Sequence, residues 1–291
     1  ETYDAGEVVQ KCISYGDYNG SGDVYTINDV AYDLLVNQAG ISPSLINNTL
    51  GGPNSWASEK ADWLSAYRVD AIFSEPSEIN SQLSELGTMT GVNFFYDDLS
   101  GQIVMKAETP VLDGTKITSV TDEIIIENSM QVEVSEKERI SRVYYYFNIR
   151  NHTQGRTAPK SYRQLFIAID SDGELPIEYG KESSKTIYGY GIQDISTATS
   201  VSQRLLARFK ETPKTVRFRL DASNINIKTG DHFYLSTADI VDNFGNINTV
   251  EMQCLSVKFD TKKLEFEVVA KQFRFALGVA AGIAPNDVAA F

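Results

Sequence analysis

The feature of this sequence that most constrains its fold is a change in the spacing of apolar residues near residue 113. Beyond that point, apolar residues recur at every second position in short segments that polar turns separate. A period of two is typical of β-strands with one buried face. The strand-like segments lie at 123–135, 139–150, 161–170, 214–220, 232–237, 248–259 and 263–273. They predict an antiparallel β-sandwich or barrel of about seven strands.

One helix interrupts these strands. Residues 197–210 place Val201, Leu205, Leu206 and Phe209 on one face at helical spacing. We expect the helix to pack on the sandwich through Val201, Leu205 and Phe209. Residues 113–291 are therefore predicted to be a β-sandwich or barrel domain with a single packed helix.

The first third of the chain begins with a predicted helix over residues 26–39, where apolar residues recur at helical spacing. Thr26 is the predicted N-cap, and Asp29 three residues later is its capping-box partner. Gly40 and Pro43 end the helical pattern.

A second predicted helix begins near Pro76 and ends at Gly91. Residues 93–108 then indicate a β-hairpin, because two apolar runs flank a turn of polar residues and glycine. Trp56 and Trp63 are interpreted as core residues. Residues 1–112 are thus predicted to be an α+β lobe, and the whole chain an α+β protein.

The formal net charge of −13 lies almost entirely in the first third of the chain. Residues 1–112 contain 16 acidic and 4 basic residues, whereas residues 113–291 contain 23 acidic and 22 basic residues. Such an acidic segment repels phosphate backbones. We therefore expect no sequence-specific binding of nucleic acid.

Composition restricts the class of protein further. With 42% hydrophobic residues the chain can bury a core, yet no apolar run reaches the about 18 residues of a membrane span. The two cysteines, Cys12 and Cys254, provide neither a disulfide framework nor a zinc site, and both are expected to act as small apolar residues. The chain begins at Glu1 without a signal region, which suggests a processed chain or a fragment.

Residues 17–29 match an EF-hand calcium loop in part. Asp17, Asn19 and Ser21 occupy the first, third and fifth positions, and Gly22 occupies the sixth. The twelfth position is Asn28, where a bidentate carboxylate is needed. We interpret this stretch as a polar turn that leads into a helix, and we expect no calcium binding tighter than millimolar.

No catalytic constellation is evident in the sequence. His152 and His232 lie in different patterns, and nothing places metal or triad partners beside them. The string GKES at 180–183 lacks the other residues of a phosphate loop, and turn propensity explains Asp97 and Asp98. We assign no catalytic, cofactor-binding or metal-binding residue and expect no enzymatic activity. A hydrolase that uses only carboxylates stays open, since such acids pair in space and not in sequence.

The order of several segments resembles that of hub proteins at the tail tip of long-tailed bacteriophages and their prophage relatives. In the first half these are NDVAYDLLVNQAGISPSLIN, WLSAYRVDAIFSEP and SEINSQLSELGTMTGVNFFYDDLSGQIVMKAE. In the second half they are VSQRLLARFKETP, VRFRLDASNINIKTGDHFYLST and NTVEMQCLSVKFDTKKLEFEV. The resemblance spans roughly residues 24–272 as an arrangement of elements.

The resemblance implies a structural role in a virion, for a protein made in the bacterial cytoplasm. Such hubs form trimers whose tail-tube-like β-sandwich domains continue the tail tube, and they meet fibres or other tip proteins. The family provides no catalytic residues. The positions that match it would serve folding: Asp29, Trp63, Pro76, Gly91, Gly230 and Asp231.

A second hypothesis is a monomeric β-sandwich module that binds a carbohydrate or a receptor through exposed aromatic residues such as Tyr144 and Tyr146. Strand alternation places Tyr145 on the opposite face from these two tyrosines, and one face is expected to be buried.

Overall fold

The fold was analysed in a computed structural model of the chain. The residues that it describes are 13–14, 25–51, 54–73, 78–97, 100–109, 118–150, 155–176, 179–221, 227–241, 244–273 and 281–282. The α-helices are α1 (Ile27–Asp33), α2 (Trp56–Glu59), α3 (Ile79–Thr90) and α4 (Ile195–Phe209). The strands are β1 (Ile13–Ser14), β2 (Ile72–Phe73), β3 (Val92–Asp97), β4 (Gln102–Ala107), β5 (Thr118–Thr121), β6 (Gln131–Val134), β7 (Arg142–Ile149), β8 (Tyr162–Ile169), β9 (Ser184–Gly189), β10 (Lys214–Asp221), β11 (His232–Ser236), β12 (Val250–Asp260), β13 (Glu265–Gln272) and β14 (Ala281–Gly282). The fold is α+β, as predicted.

Helix α1 begins where the sequence predicts. The backbone N–H of Thr26 donates a hydrogen bond to Oδ2 of Asp29 at 2.9 Å, and its hydroxyl donates to the same oxygen at 2.6 Å. Burial of Asp29 opposes ionisation, but these hydrogen bonds and the ammonium of Lys60 outweigh it and lower the pKa of the carboxyl. The helix continues as a π-helical segment over Leu34–Gln38. The predicted helix is confirmed.

The core of the first third contains Trp56, which is fully buried in α2. Its indole N–H donates a hydrogen bond to the carbonyl of Ile103 in β4 at 2.9 Å, which satisfies the one polar atom of the ring. Trp63 is only partly buried at the margin of the same cluster. The interpretation as core residues is therefore confirmed for Trp56 and holds only in part for Trp63.

Helix α3 ends at Gly91, which adopts the left-handed conformation with φ 65° that favours glycine at this position. The described helix begins at Ile79, and the predicted start near Pro76 lies outside the described residues. Strands β3 and β4 then pair as the predicted antiparallel hairpin and form a two-stranded sheet of their own.

The remaining strands form two larger sheets. The six-stranded sheet has the order β5-β11-β12-β13-β10-β6, and the four-stranded sheet has the order β14-β8-β7-β9. The prediction of a purely antiparallel arrangement is wrong at two pairs, because β5 runs parallel to β11 and β9 runs parallel to β7. After β8 the chain crosses over β7, so β9 pairs with β7 on the side away from β8. Since β9 and β7 both run opposite to β8, they are parallel to each other.

Helix α4 packs against β7 and β8. Its N-cap is Asp194, whose carboxylate accepts a hydrogen bond from the N–H of Thr197 at 2.9 Å. Val201 and Leu206 are buried, but Leu205 and Phe209 are only partly buried. The buried stripe is therefore rotated from the predicted one, because the small residues Ala198 and Ser202 let the helix approach the sheet closely.

The buried apolar side chains of the described residues form two clusters. The first joins residues of the first third, such as Leu34 and Leu86, to Tyr145 and Phe166 of the four-stranded sheet. The second cluster consists mainly of side chains from the six-stranded sheet. The division of the chain into 1–112 and 113–291 stays a prediction, and most of the predicted boundary at 108–116 lies outside the described residues.

Candidate interaction surfaces

Strand β6 is the outer strand of the six-stranded sheet, and all four of its residues are exposed. Val132 is 38% exposed and Val134 is 56% exposed. Natural edge strands are protected by lysine, proline or bulges, because unpaired backbone groups attract other strands. The sequence QVEV has no lysine or proline, and its only charge is that of Glu133. Among the described residues β6 pairs only with β10, so its outer edge is open in that part of the chain.

A groove runs along the outer edge of the four-stranded sheet. Its larger part has a volume of about 800 Å³ and its smaller part about 260 Å³. Ser84 and Thr88 of α3 and Ile187 of β9 line both parts. The two parts therefore meet where α3 lies over β9, and we call the whole the β9 groove.

The larger part of the β9 groove has an apolar floor and a basic rim. Leu83, Val201 and Phe94 contribute to the floor. The rim and walls contain five basic and two acidic side chains: Lys137, Arg139, Lys185, Arg204, Lys271, Glu108 and Glu138. In a chain with a net charge of −13, this is a local excess of positive charge.

Two of these cations are occupied by contacts within the chain. Nζ of Lys271 lies 2.9 Å from Oε1 of Glu138. Nη2 of Arg204 donates a hydrogen bond to the hydroxyl of Tyr67 at 2.6 Å. These two residues therefore fix the walls of the groove.

Of the other three cations, the two lysines are available to a ligand. Lys137 and Lys185 are exposed and form no ion pair within the described residues. Arg139 is only 4% exposed, and its guanidinium lies 4.2 Å from the ring centre of Tyr179. Its Nη2 donates to the carbonyl of Lys181, and its Nη1, which has no hydrogen-bond partner in the described part of the chain, is buried.

The segment beside Arg139 is held by a partly buried network of hydrogen bonds. The guanidinium of Arg142 donates to both carboxylate oxygens of Glu174 at 2.7 Å, and Ser141 donates to the same carboxylate at 2.8 Å. The hydrogen bonds from Arg142 lower the pKa of Glu174. The hydroxyl of Ser183 donates to the carbonyl of Arg139 at 2.6 Å, which fixes the start of β9 against the rim.

The residues singled out in the sequence do not meet at one site. Asp97 is buried and accepts hydrogen bonds from Asn54 at 3.1 Å and Ser100 at 2.6 Å, so it supports the hairpin turn. His232 lies 2.9 Å from Glu251 and packs edge-on against Phe273. His152, Asp98, Cys12 and residues 17–24 of the predicted polar turn lie outside the described residues.

The tyrosines of β7 alternate as expected. Tyr145 is fully buried, whereas Tyr144 and Tyr146 are partly exposed. The ring of Tyr146 stacks on that of Tyr188 with centres 5.4 Å apart. These side chains therefore pack on each other and do not form a fully exposed aromatic platform.

Within the described ranges, no three His, Cys, Asp or Glu side chains are placed to share a metal ion. None of the helices in that part of the chain combines the length and apolar character needed to cross a membrane. Cys254 is a buried free thiol.

The backbone fold is similar to that of a chain in the virion of a native gene transfer agent particle. The two superpose with a TM-score of 0.55 and 15% sequence identity over 92% of this chain and 52% of the virion chain. The chain thus spans about half the length of that virion chain. The finding shows a shared fold.

Two tail proteins superpose less well. One is the 43 kDa tail protein of prophage MuSo2 from Shewanella oneidensis, with a TM-score of 0.48 and 15% identity over 86% of this chain and 66% of that chain. The other is a tail protein from Neisseria meningitidis, with a TM-score of 0.48 and 13% identity over 89% of this chain and 69% of that chain. No protein-family model and no curated protein matches the sequence.

Proposed function

We propose that this chain is a structural component of a bacteriophage tail or of a related particle. The observation that supports this role is a fold shared with a chain of a gene transfer agent virion along 92% of the residues. In finer terms, we place it in the tail tip or baseplate hub. There it forms part of a trimeric ring that continues the tail tube and attaches fibres or other tip proteins.

The open edge at β6 supports a role in assembly. An edge strand with exposed Val132 and Val134 is a template for pairing with another chain, and an assembled particle covers such an edge. We propose that β6 contributes to the contact between neighbouring subunits. On this proposal the chain acts by protein–protein contact and catalyses no reaction.

The charge of the chain agrees with a conduit for DNA. An object with a net charge of −13 recruits few phosphate contacts and does not retain passing DNA. The acidity lies in residues 1–112, whereas the β-rich part proposed as the wall has nearly equal numbers of acidic and basic residues.

A three-fold cryo-electron microscopy map of the native particle tests the position. We expect three copies around the tail axis at the tip. Copies on a peripheral fibre, or in another symmetry, would show that the hub role is wrong.

Mass photometry of the purified chain at rising concentration tests the contact. We expect trimers that disappear in Val134→Lys, because a lysine blocks pairing at an edge. The matched control is Leu50→Lys, at a position that is 70% exposed and belongs to no strand. An equal loss of trimers in both variants would contradict the role of β6.

A further inference from the structure

The β9 groove contains a second open strand edge, separate from β6. Strand β9 is the outer strand of the four-stranded sheet, and it pairs only with β7 among the described residues. Ser184, Lys185 and Thr186 are exposed. No described group forms a hydrogen bond with the outward backbone groups of residues 184–188.

The groove leaves room beside this edge. All residues of β9 from Ser184 to Tyr188 line one of its two parts. Helix α3 forms the opposite wall through the uncharged polar side chains of Asn80, Ser84 and Thr88, and Glu85 lines the smaller part. An extended chain that lay along β9 would therefore meet the edge on one side and a polar helix on the other.

The positive charge of the rim favours acidic ligands over basic ones. Lys137 and Lys185 are exposed cations that form no ion pair within the described residues. Exposed charges attract a ligand of opposite charge and repel one of the same charge. The two lysines favour carboxylates at the end of the groove that they border.

We propose that the β9 groove binds an extended, acidic peptide segment of another protein, which adds a strand beside β9 and places its carboxylates against Lys137 and Lys185. Strand addition uses alternating N–H donors and carbonyl acceptors, which a peptide supplies and a nucleic-acid backbone does not. The site uses the edge of β9 and not that of β6.

The binding test uses a fluorescein-labelled peptide of about ten residues, the length of a long strand, in which valine and threonine alternate before glutamates at one end. Fluorescence anisotropy with the full chain should show saturable binding. A twin peptide with lysines in place of the glutamates should bind at least about tenfold more weakly, because it repels the rim. A twin with N-methylated amides at alternate residues should also lose affinity, since it cannot pair with β9.

Variants of the chain locate the site. Lys137→Glu combined with Lys185→Glu should weaken binding by about tenfold or more. The matched control, Lys262→Glu with Lys263→Glu, reverses two exposed charges in the turn between β12 and β13 and should leave binding unchanged. Hydrogen exchange should slow at residues 184–188 when the glutamate peptide binds.

Three results would overturn the proposal. The first is no binding of the glutamate peptide. The second is equal binding of the N-methylated twin, which would reduce the interaction to charge attraction. The third is unchanged peptide binding in the Lys137/Lys185 variant together with a changed oligomeric state, which would assign these lysines to contacts between copies of the chain.

Discussion

Arg204 of α4 donates a hydrogen bond to the hydroxyl of Tyr67 at 2.6 Å, and its guanidinium lies 5.3 Å from the centre of the same ring. The two residues are 137 positions apart in the sequence. The contact ties a helix of the β-rich part to the first third of the chain, at the wall of the β9 groove.

Tyr67→Phe removes this hydrogen bond and keeps the ring. We expect the free energy of unfolding to fall by about 1–2 kcal/mol, because the bond involves a charged donor and a largely buried hydroxyl. Urea unfolding measures the change. The control Tyr96→Phe, at a residue that is 55% exposed, should change it by less than about 0.5 kcal/mol. Equal effects of the two substitutions would contradict the structural role of the Tyr67 hydroxyl.

Gly189→Ala should disturb the packing of Tyr145. A Cβ at this position would lie 2.6 Å from the buried ring of Tyr145, so the ring or the strand has to move. Overpacking of this kind costs about 1–3 kcal/mol. Gly155→Ala is the control, since an added Cβ there meets no atom of the described residues within 4 Å. The midpoints of thermal unfolding of the two variants should differ clearly, with Gly189→Ala lower.

Asp29→Asn should destabilise the chain in a pH-dependent manner. At neutral pH we expect a loss of about 1 kcal/mol, because the carboxylate accepts hydrogen bonds from Thr26 and pairs with Lys60 at 2.9 Å. The pKa of Asp29 is lowered in the folded chain, so its contribution is complete above the ordinary value of 3.8 and is lost as pH falls through the lower folded value.

The stability difference between wild type and Asp29→Asn should therefore shrink in acid, below pH 3.8. Asp62→Asn, at an exposed carboxylate, is the control and should stay within about 0.5 kcal/mol of wild type. A difference that persisted unchanged at low pH would disprove the assignment.

Cys254 should resist alkylation in the folded chain. Burial raises the pKa of its thiol to about 12, and the reactive thiolate is therefore scarce near pH 8, where an exposed cysteine reacts. Mass spectrometry after treatment with iodoacetamide should show the peptide with Cys254 unmodified in buffer and modified in urea. Rapid modification under native conditions would show that this part of β12 opens.

The local elements of this fold could be predicted from the sequence. Thr26 and Asp29 mark the start of α1 because the capping interaction lies within four consecutive residues. The hairpin of β3 and β4 was predictable for the same reason, since its register depends on one turn.

Features that depend on distant residues could not be predicted in this way. Strand β9 begins with the polar residues Ser184, Lys185 and Thr186, because an edge strand has less need of apolar side chains, and no strand pattern indicated it. It pairs in parallel with β7 because the chain crosses over β7 between β8 and β9. The cations of the groove come from separate segments, so no spacing in the sequence identifies them.

The open edges at β6 and β9 give the subunit a valence of two, in the sense used for monomers in polymer chemistry. Two unlike reactive ends permit open chains of unlimited length unless the angle between successive units closes a ring. If both edges bound copies of the same chain, growth would stop only by closure. If β9 instead binds a segment of another protein, that edge takes no part in growth, and the contacts between copies depend on β6.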